Sequence, residues 1–160
     1  MRPIVLLTLI LASFLCQPAH AQAQVSAEQE VRAVVDRLFT GMRQGDSTVV
    51  RSVFHPEARL MSAGVRQGEP VLRRDSIDAF VRAVGTPHEQ VWDERISNVQ
   101  IRVDGPLATA WMDYAFYAGE RFSHCGVNAF QFFRTQQGWK VIQITDTRRQ
   151  TGCPAQRPSG

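Results

Sequence analysis

The hydrophobic period changes once along this chain, near Val91, and that change narrows its folds more than any other feature. Before it the apolar residues keep helical spacing. Val31, Val34, Val35, Leu38, Phe39 and Met42 fall at offsets of 3, 4, 7, 8 and 11, one stripe of an amphipathic helix. Ser26 and Gln29 have the spacing of a capping box ahead of it, and Gly41 and Gly45 mark its exit. Asp46 can cap a second, short helix with Val49, Val50, Val53 and Phe54 on its buried side. His55-Pro56 ends it, because the residue before proline avoids helical backbone angles. Residues 57–74 read as irregular, with short strands over Ala58–Met61 and Val65–Gln67. Asp75 or Ser76 opens a third helix with Ile77, Phe80, Val81 and Val84 on one face, and Gly85 closes it.

After Val91 apolar and polar residues alternate, as in strands with one buried face. Val99, Ile101 and Val103 begin the pattern. Asp104-Gly105-Pro106, Gly119-Glu120 and Gln136-Gln137-Gly138 punctuate it into long strands ending near Ala118, Arg134 and Thr147. Helices followed by a meander of strands predict an α+β domain. Three N-terminal helices should pack on the concave face of a curved, mostly antiparallel sheet. At 160 residues and 44% hydrophobic, the chain suits a single such domain.

Residues 1–21 read as a signal peptide. Arg2 precedes an apolar run from Ile4 to Cys16, and Ala19-His20-Ala21 supplies small residues at a cleavage site. The expected mature domain is 22–153, with a loose tail over 154–160, and the expected location is periplasmic or extracellular. Cleavage takes one positive charge from a net charge of +3. The remainder is too balanced to argue for nucleic acid, and no membrane contact is expected of the mature chain. Cys125 and Cys153 survive cleavage, and an even pair in an exported chain favours a disulfide over a buried or catalytic thiol.

The order of elements resembles the nuclear transport factor 2-like superfamily, whose members are cone-shaped α+β barrels with a cystatin-like fold. The resemblance rests on Gly41-Met42-Arg43-Gln44-Gly45-Asp46, Phe54-His55-Pro56-Glu57-Ala58 and Gly138-Trp139-Lys140-Val141-Ile142. The segment Phe122–Phe130 is similar to the lumazine-binding or SnoaL-like branch. The resemblance implies isomerases, dehydratases, cyclases or binding modules without catalysis, and it suggests a homodimer. Fold alone does not choose among them.

Regular two-residue turns would set the faces of the strands. One face would collect Trp111, Asp113, Tyr117, His124, Asn128, Phe130 and Gln143, a few polar groups among aromatics, as a small-molecule pocket needs. Asp113 and His124 would then lie diagonally across neighbouring strands, and a carboxylate orienting an imidazole is general acid–base machinery. The competing reading is a polar pair that satisfies itself. His55 would end the second helix near the pocket mouth, where the helix dipole also favours a histidine. The opposite face, with Met112, Tyr114, Phe116 and Phe133, would be a homodimer surface, and Asp146 with Arg148 a surface ion pair. No metal-ligand spacing, phosphate-binding glycine loop or dinucleotide fingerprint is present, so no metal and no cofactor are expected. The leading expectation is a pocket for a small apolar or aromatic molecule. A cofactor-free isomerase, dehydratase or cyclase and a homodimeric interaction module are the alternatives.

Overall fold

The computed structural model describes residues 26–153, so the expected signal segment and tail lie outside the described residues. Helix α1 (Ala27–Gln44) starts where the capping box places it: the Gln29 backbone N–H donates to Ser26 Oγ at 3.3 Å, and the Ser26 N–H donates to Gln29 Oε1 at 2.9 Å. Asp46 caps α2 (Ser47–Val53) by accepting from the Val49 N–H at 2.9 Å. Strands β1 (Phe54–Arg66) and β2 (Glu69–Asp75) follow, then α3 (Ile77–Gly85), capped by Ser76. The chain closes with β3 (Trp92–Asp104), β4 (Leu107–Ala118), β5 (Arg121–Thr135) and β6 (Gly138–Thr147).

The six strands form one sheet in the order β2-β1-β6-β5-β4-β3. Only the β1–β6 pair is parallel. Two expectations change here. The three helices are not consecutive, because the β1–β2 hairpin separates α2 from α3. The stretch read as irregular is that hairpin. Its two-residue turn, Gln67-Gly68, takes φ of 55° and 86°, the mirror-image geometry that matches strand twist. His55 does not end a helix. Phe54 pairs with Val141 of β6, and this pairing draws the chain into β1 immediately after Val53.

Three interruptions bend the sheet. Asn98 and Val99 together oppose Met112, Ser123 has no partner between Phe122 and His124, and Ile142 has none between Val141 and Gln143. An extra residue on one strand kinks it and raises its twist. The concave face is filled at one end by α1 and α2. Val31, Val35, Leu38, Phe39, Val50 and Val53 pack with Ala108, Ala110, Phe130, Phe132 and Val141. Ala110 faces Phe130 and Ala108 faces Phe132 across the β4–β5 ladder, so small residues make room for large ones. Phe39 meets Phe130 edge-to-face at 6.2 Å. Burying one such ring contributes about 1.5–3 kcal/mol.

The expected disulfide is present. Cys125 of β5 is bonded to Cys153, with 5.9 Å between Cα atoms. Cys125 and Arg149 also exchange backbone hydrogen bonds of 2.9 and 2.8 Å, so the chain beyond β6 is laid against β5.

Candidate functional site

Beyond the apolar packing, the concave face continues into a polar cluster. Side chains alternate across a strand, and the ladders align the alternation between strands. Trp92, Glu94 and Ile96 of β3 therefore share a face with Met112, Tyr114 and Phe116 of β4. Phe116 pairs with His124 and Met112 with Asn128 of β5, and Asn128 pairs with Asp146 of β6. Arg148 follows Asp146 on the same side and donates from Nε to Asp146 Oδ2 at 2.7 Å. Ring contacts agree with this placement: His124 lies 5.1 Å from Phe116 and 5.6 Å from Tyr114, and Trp92 lies 6.1 Å from Phe116.

The cluster is held by short, charge-bearing contacts. Asn128 Nδ2 donates to Glu94 Oε1 at 2.7 Å across 34 residues of chain. Tyr114 Oη donates to the Thr147 carbonyl at 2.9 Å. Asn128 and Asp146 are 4% and 7% exposed, among the few buried polar residues described. Asp146 Oδ1 and, on the paired position of β1, Ser62 Oγ are buried without a hydrogen-bond partner. Unsatisfied buried polar atoms, here one carboxylate acceptor and one hydroxyl that can donate or accept, are uncommon in native proteins and each calls for an explanation.

Electrostatics follow from this burial. Removal from water pushes the Glu94 carboxyl up to about 7; nearby Asp146 pushes the same way, while the Asn128 hydrogen bond and Arg148 oppose it. Burial, aided by Asp146 and Glu94, raises the Tyr114 phenol and keeps it a neutral donor. Burial, aided by Arg148, lowers His124, so its imidazole is neutral near pH 7. The site thus holds one carboxyl able to exchange a proton near neutrality, one carboxylate paired with arginine, a phenol and an imidazole. Glu94, Phe116 and His124 are partly buried, whereas Asn128 and Asp146 are buried. Trp92, whose ring stacks on His88 at 3.9 Å, also lines a cleft of about 330 Å³ with Met42, Val84 and residues 85–91.

The residues singled out from sequence divide between the two faces. His124 and Asn128 lie in the cluster, and Phe130 lies on the same face but inside the apolar core. Trp111, Asp113, Tyr117 and Gln143 lie on the opposite, convex face. The Asp113–His124 pair therefore does not form. The unpaired Ser123 shifts β5 by one residue against β4, so Asp113 faces Val127 where an unbroken ladder would give it Gly126. Asp113 instead accepts from Asn98 Nδ2 at 2.7 Å beside the β3 bulge. Tyr117 is covered by the Arg95 guanidinium, 4.1 Å above its ring. His55 sits at the start of β1, 6.3 Å from Phe133 on the convex side. Met112, Tyr114 and Phe116, expected on a dimer face, point into the concave side. Asp146 and Arg148 do pair, as expected, but on the concave face with the carboxylate buried and not as a surface ion pair. Glu94 escaped the sequence reading altogether. Its signal was there, one acid in the alternating row Trp92, Glu94, Ile96. Among the described residues no three His, Cys, Asp or Glu side chains converge as a metal site, and no helix is long and apolar enough to cross a membrane.

The family model described as "Putative lumazine-binding" matches residues 26–145, spanning every element from α1 to most of β6. The chain belongs to this family. Its relatives of known structure share the fold at low identity. An NTF2-like protein with a cystatin-like fold from Novosphingobium aromaticivorans superposes with a TM-score of 0.64 at 14% identity, covering 81% of this chain and 85% of that one. An NTF2-like protein of unknown function from Pseudomonas putida gives 0.61 at 17% identity, over 82% and 96%. A protein from Streptomyces avermitilis described as a "putative dehydratase" of the NTF2-like family gives 0.60 at 15% identity, over 76% and 94%. No curated protein matches the chain. For this member of the family described as "Putative lumazine-binding", the comparisons establish the NTF2-like, cystatin-like α+β fold.

Proposed function

We propose that this protein binds a small molecule on the concave face of its sheet, with Glu94, Asn128 and Asp146 reading polar groups and Trp92, Phe116 and His124 forming an aromatic wall. The carrying observation is the buried, unpartnered Asp146 Oδ1 beside the Glu94–Asn128 hydrogen bond. A few convergent polar groups in an aromatic setting are what fix a ligand's orientation. The family's description, which names a small heterocycle, supports the same class of activity. Native mass spectrometry of the protein purified from its own host tests the reading. A stoichiometric adduct that is lost in Asn128→Leu supports it. An adduct retained in that variant, or no adduct together with no chemical-shift change at the cluster on screening small aromatic compounds, overturns it.

One observation favours a second reading, acid–base catalysis without a cofactor. A carboxyl that titrates near 7 is matched to proton transfer at neutral pH. Glu94 takes the role here, and the convex Asp113 does not. Dehydration or isomerisation next to a carbonyl would suit it. Glu94→Gln should then lower turnover by about 10²–10⁴-fold, while Asp113→Asn should leave it unchanged.

Two further properties belong to the proposal. Export to an oxidising compartment is supported by the apolar segment after Arg2 and by the Cys125–Cys153 bond. Homodimerisation through the convex face is supported by exposed Leu107, Trp111 and Phe133.

A further inference from the structure

Resting on the reading of the concave face as a small-molecule site, we propose that its ligand carries a protonated nitrogen, an amine or amidine on a planar apolar body, held between Asp146 Oδ1 and the Glu94 carboxylate. The hydrogen bonds within the cluster leave acceptors over. Asn128 Nδ2 is spent on Glu94 Oε1, Arg148 Nε on Asp146 Oδ2, and Tyr114 Oη on the Thr147 carbonyl. Asp146 is 7% exposed and, although the Tyr114 phenol lies close beside its carboxylate, its Oδ1 accepts no hydrogen bond. A ligand that contacts Asp146 Oδ1 must bring a donor, since an acceptor-only group such as a carboxylate or sulfonate would face that carboxylate oxygen unpaired; the buried Ser62 hydroxyl at the paired position of β1 can itself donate or accept.

Charge points the same way. The groups facing the site are Glu94 from β3, Tyr114 from β4, His124 from β5, and Asp146 and Arg148 from β6. Ser62 of β1 carries no charge. The faces that α1 and α3 turn inward are apolar, with Val31, Val35, Leu38, Val81 and Val84. With phenol and imidazole neutral, two carboxyl groups face one guanidinium. A bound cation balances the second carboxylate. Without one, Glu94 keeps its proton below about pH 7. Binding an ammonium or amidinium therefore releases that proton to solvent on the acid side of Glu94's titration and releases none on its alkaline side. Trp92 and Phe116 supply aromatic surface for the planar body and for the cation.

The test uses four probes on the full mature chain: benzylamine, benzamidine, benzyl alcohol and benzoate. Calorimetry in two buffers of different ionisation enthalpy counts protons, and NMR shifts locate binding. The expected result is that both cationic probes bind at the cluster about tenfold or more tighter near pH 8 than near pH 5.5. At the acid pH close to one proton should be released per ligand. Glu94→Gln should abolish the proton release and the pH dependence. Asp146→Asn should weaken the cations more than benzyl alcohol. If Asp146→Asn does not fold, the Glu94→Gln comparison still decides. Benzyl alcohol or benzoate binding at the cluster as tightly as the cations would overturn the proposed ligand class while leaving the site in place. Failure of all four probes to bind at the cluster would overturn both.

Discussion

At the residue scale, Gly126 and Glu94 carry most of the consequence. Gly126 lies on the concave face where β5 and β6 approach each other. A Cβ there would sit 1.8 Å from the Thr147 carbonyl oxygen and 2.7 Å from Tyr114 Cε1. The first contact is backbone, so no rotamer can relieve it. Gly126→Ala should destabilise the domain by about 1–3 kcal/mol or more, measured by urea unfolding. It should also displace Tyr114 from the Thr147 carbonyl. Wild-type stability in this variant would mean that β6 does not pack as described. Glu94 makes a prediction in pH. Its carboxyl sits near 4.5 when unfolded and about 7 when folded, so the native state holds the proton more tightly. Stability then falls as pH rises from about 4.5 to about 7, by no more than about 3 kcal/mol. Glu94→Gln cannot ionise and still accepts from Asn128. It should match wild type near pH 4.5 and exceed it above pH 7. His124, lowered by burial, tilts both proteins the same way and cancels in the comparison. A difference independent of pH would show that Glu94 is not perturbed in the fold.

At the scale of elements, local chemistry and long-range pairing separate what could be read from what could not. The caps at Ser26, Asp46 and Ser76 and the hairpins after β3, β4 and β5 are short-range signals, and each stands where the sequence places it. The turn at Gln67-Gly68 was hidden because a glutamine takes the first left-handed position, where asparagine, aspartate or glycine is the usual signal. The β3 bulge carries a local signal, Asn98 in the left-handed region with φ of 51°, whereas the bulges at Ser123 and Ile142 have none. With one residue added, His124 and Asn128 turn to the same side as Tyr114 and away from Asp113. Strand parity within each segment was legible; parity between segments was not. The segment after β6 adds a prediction of its own. Cys125–Cys153 closes a loop of sequence separation 28. The chain-entropy model assigns such a crosslink about 3–4 kcal/mol. Cys153→Ser should lower stability by about 2–4 kcal/mol in chemical denaturation. It should also weaken binding at the cluster, because Arg149, next to Arg148, is tied to Cys125 through the backbone. Unchanged binding in the variant would show that β6 alone positions Arg148.

At the scale of the whole molecule the two faces of the sheet have opposite problems. The concave face is covered at one end by α1 and α2, and its polar end needs donors. The convex face is covered around Cys125 and Tyr117 but carries exposed apolar side chains elsewhere. Leu107 and Phe133 are cross-strand partners, Trp111 lies further along β4, and the three are 48%, 42% and 55% exposed. Large apolar side chains gathered on one open sheet face are the mark of an interaction surface. A second copy of the same face is a self-complementary partner, as a two-fold dimer requires. Trp111→Glu places a charge at the most exposed of the three positions, on the face opposite the cluster. If the convex face pairs with itself, the wild-type chain should run as a dimer in light scattering at micromolar concentration. Trp111→Glu should then run as a monomer with its ligand binding retained. A wild-type chain that is monomeric at that concentration would leave the exposed Trp111 without a partner in a second copy. A variant that stays dimeric would move the interface elsewhere, with the short edge strand β2 and its exposed Val71 and Leu72 as the next surface to substitute.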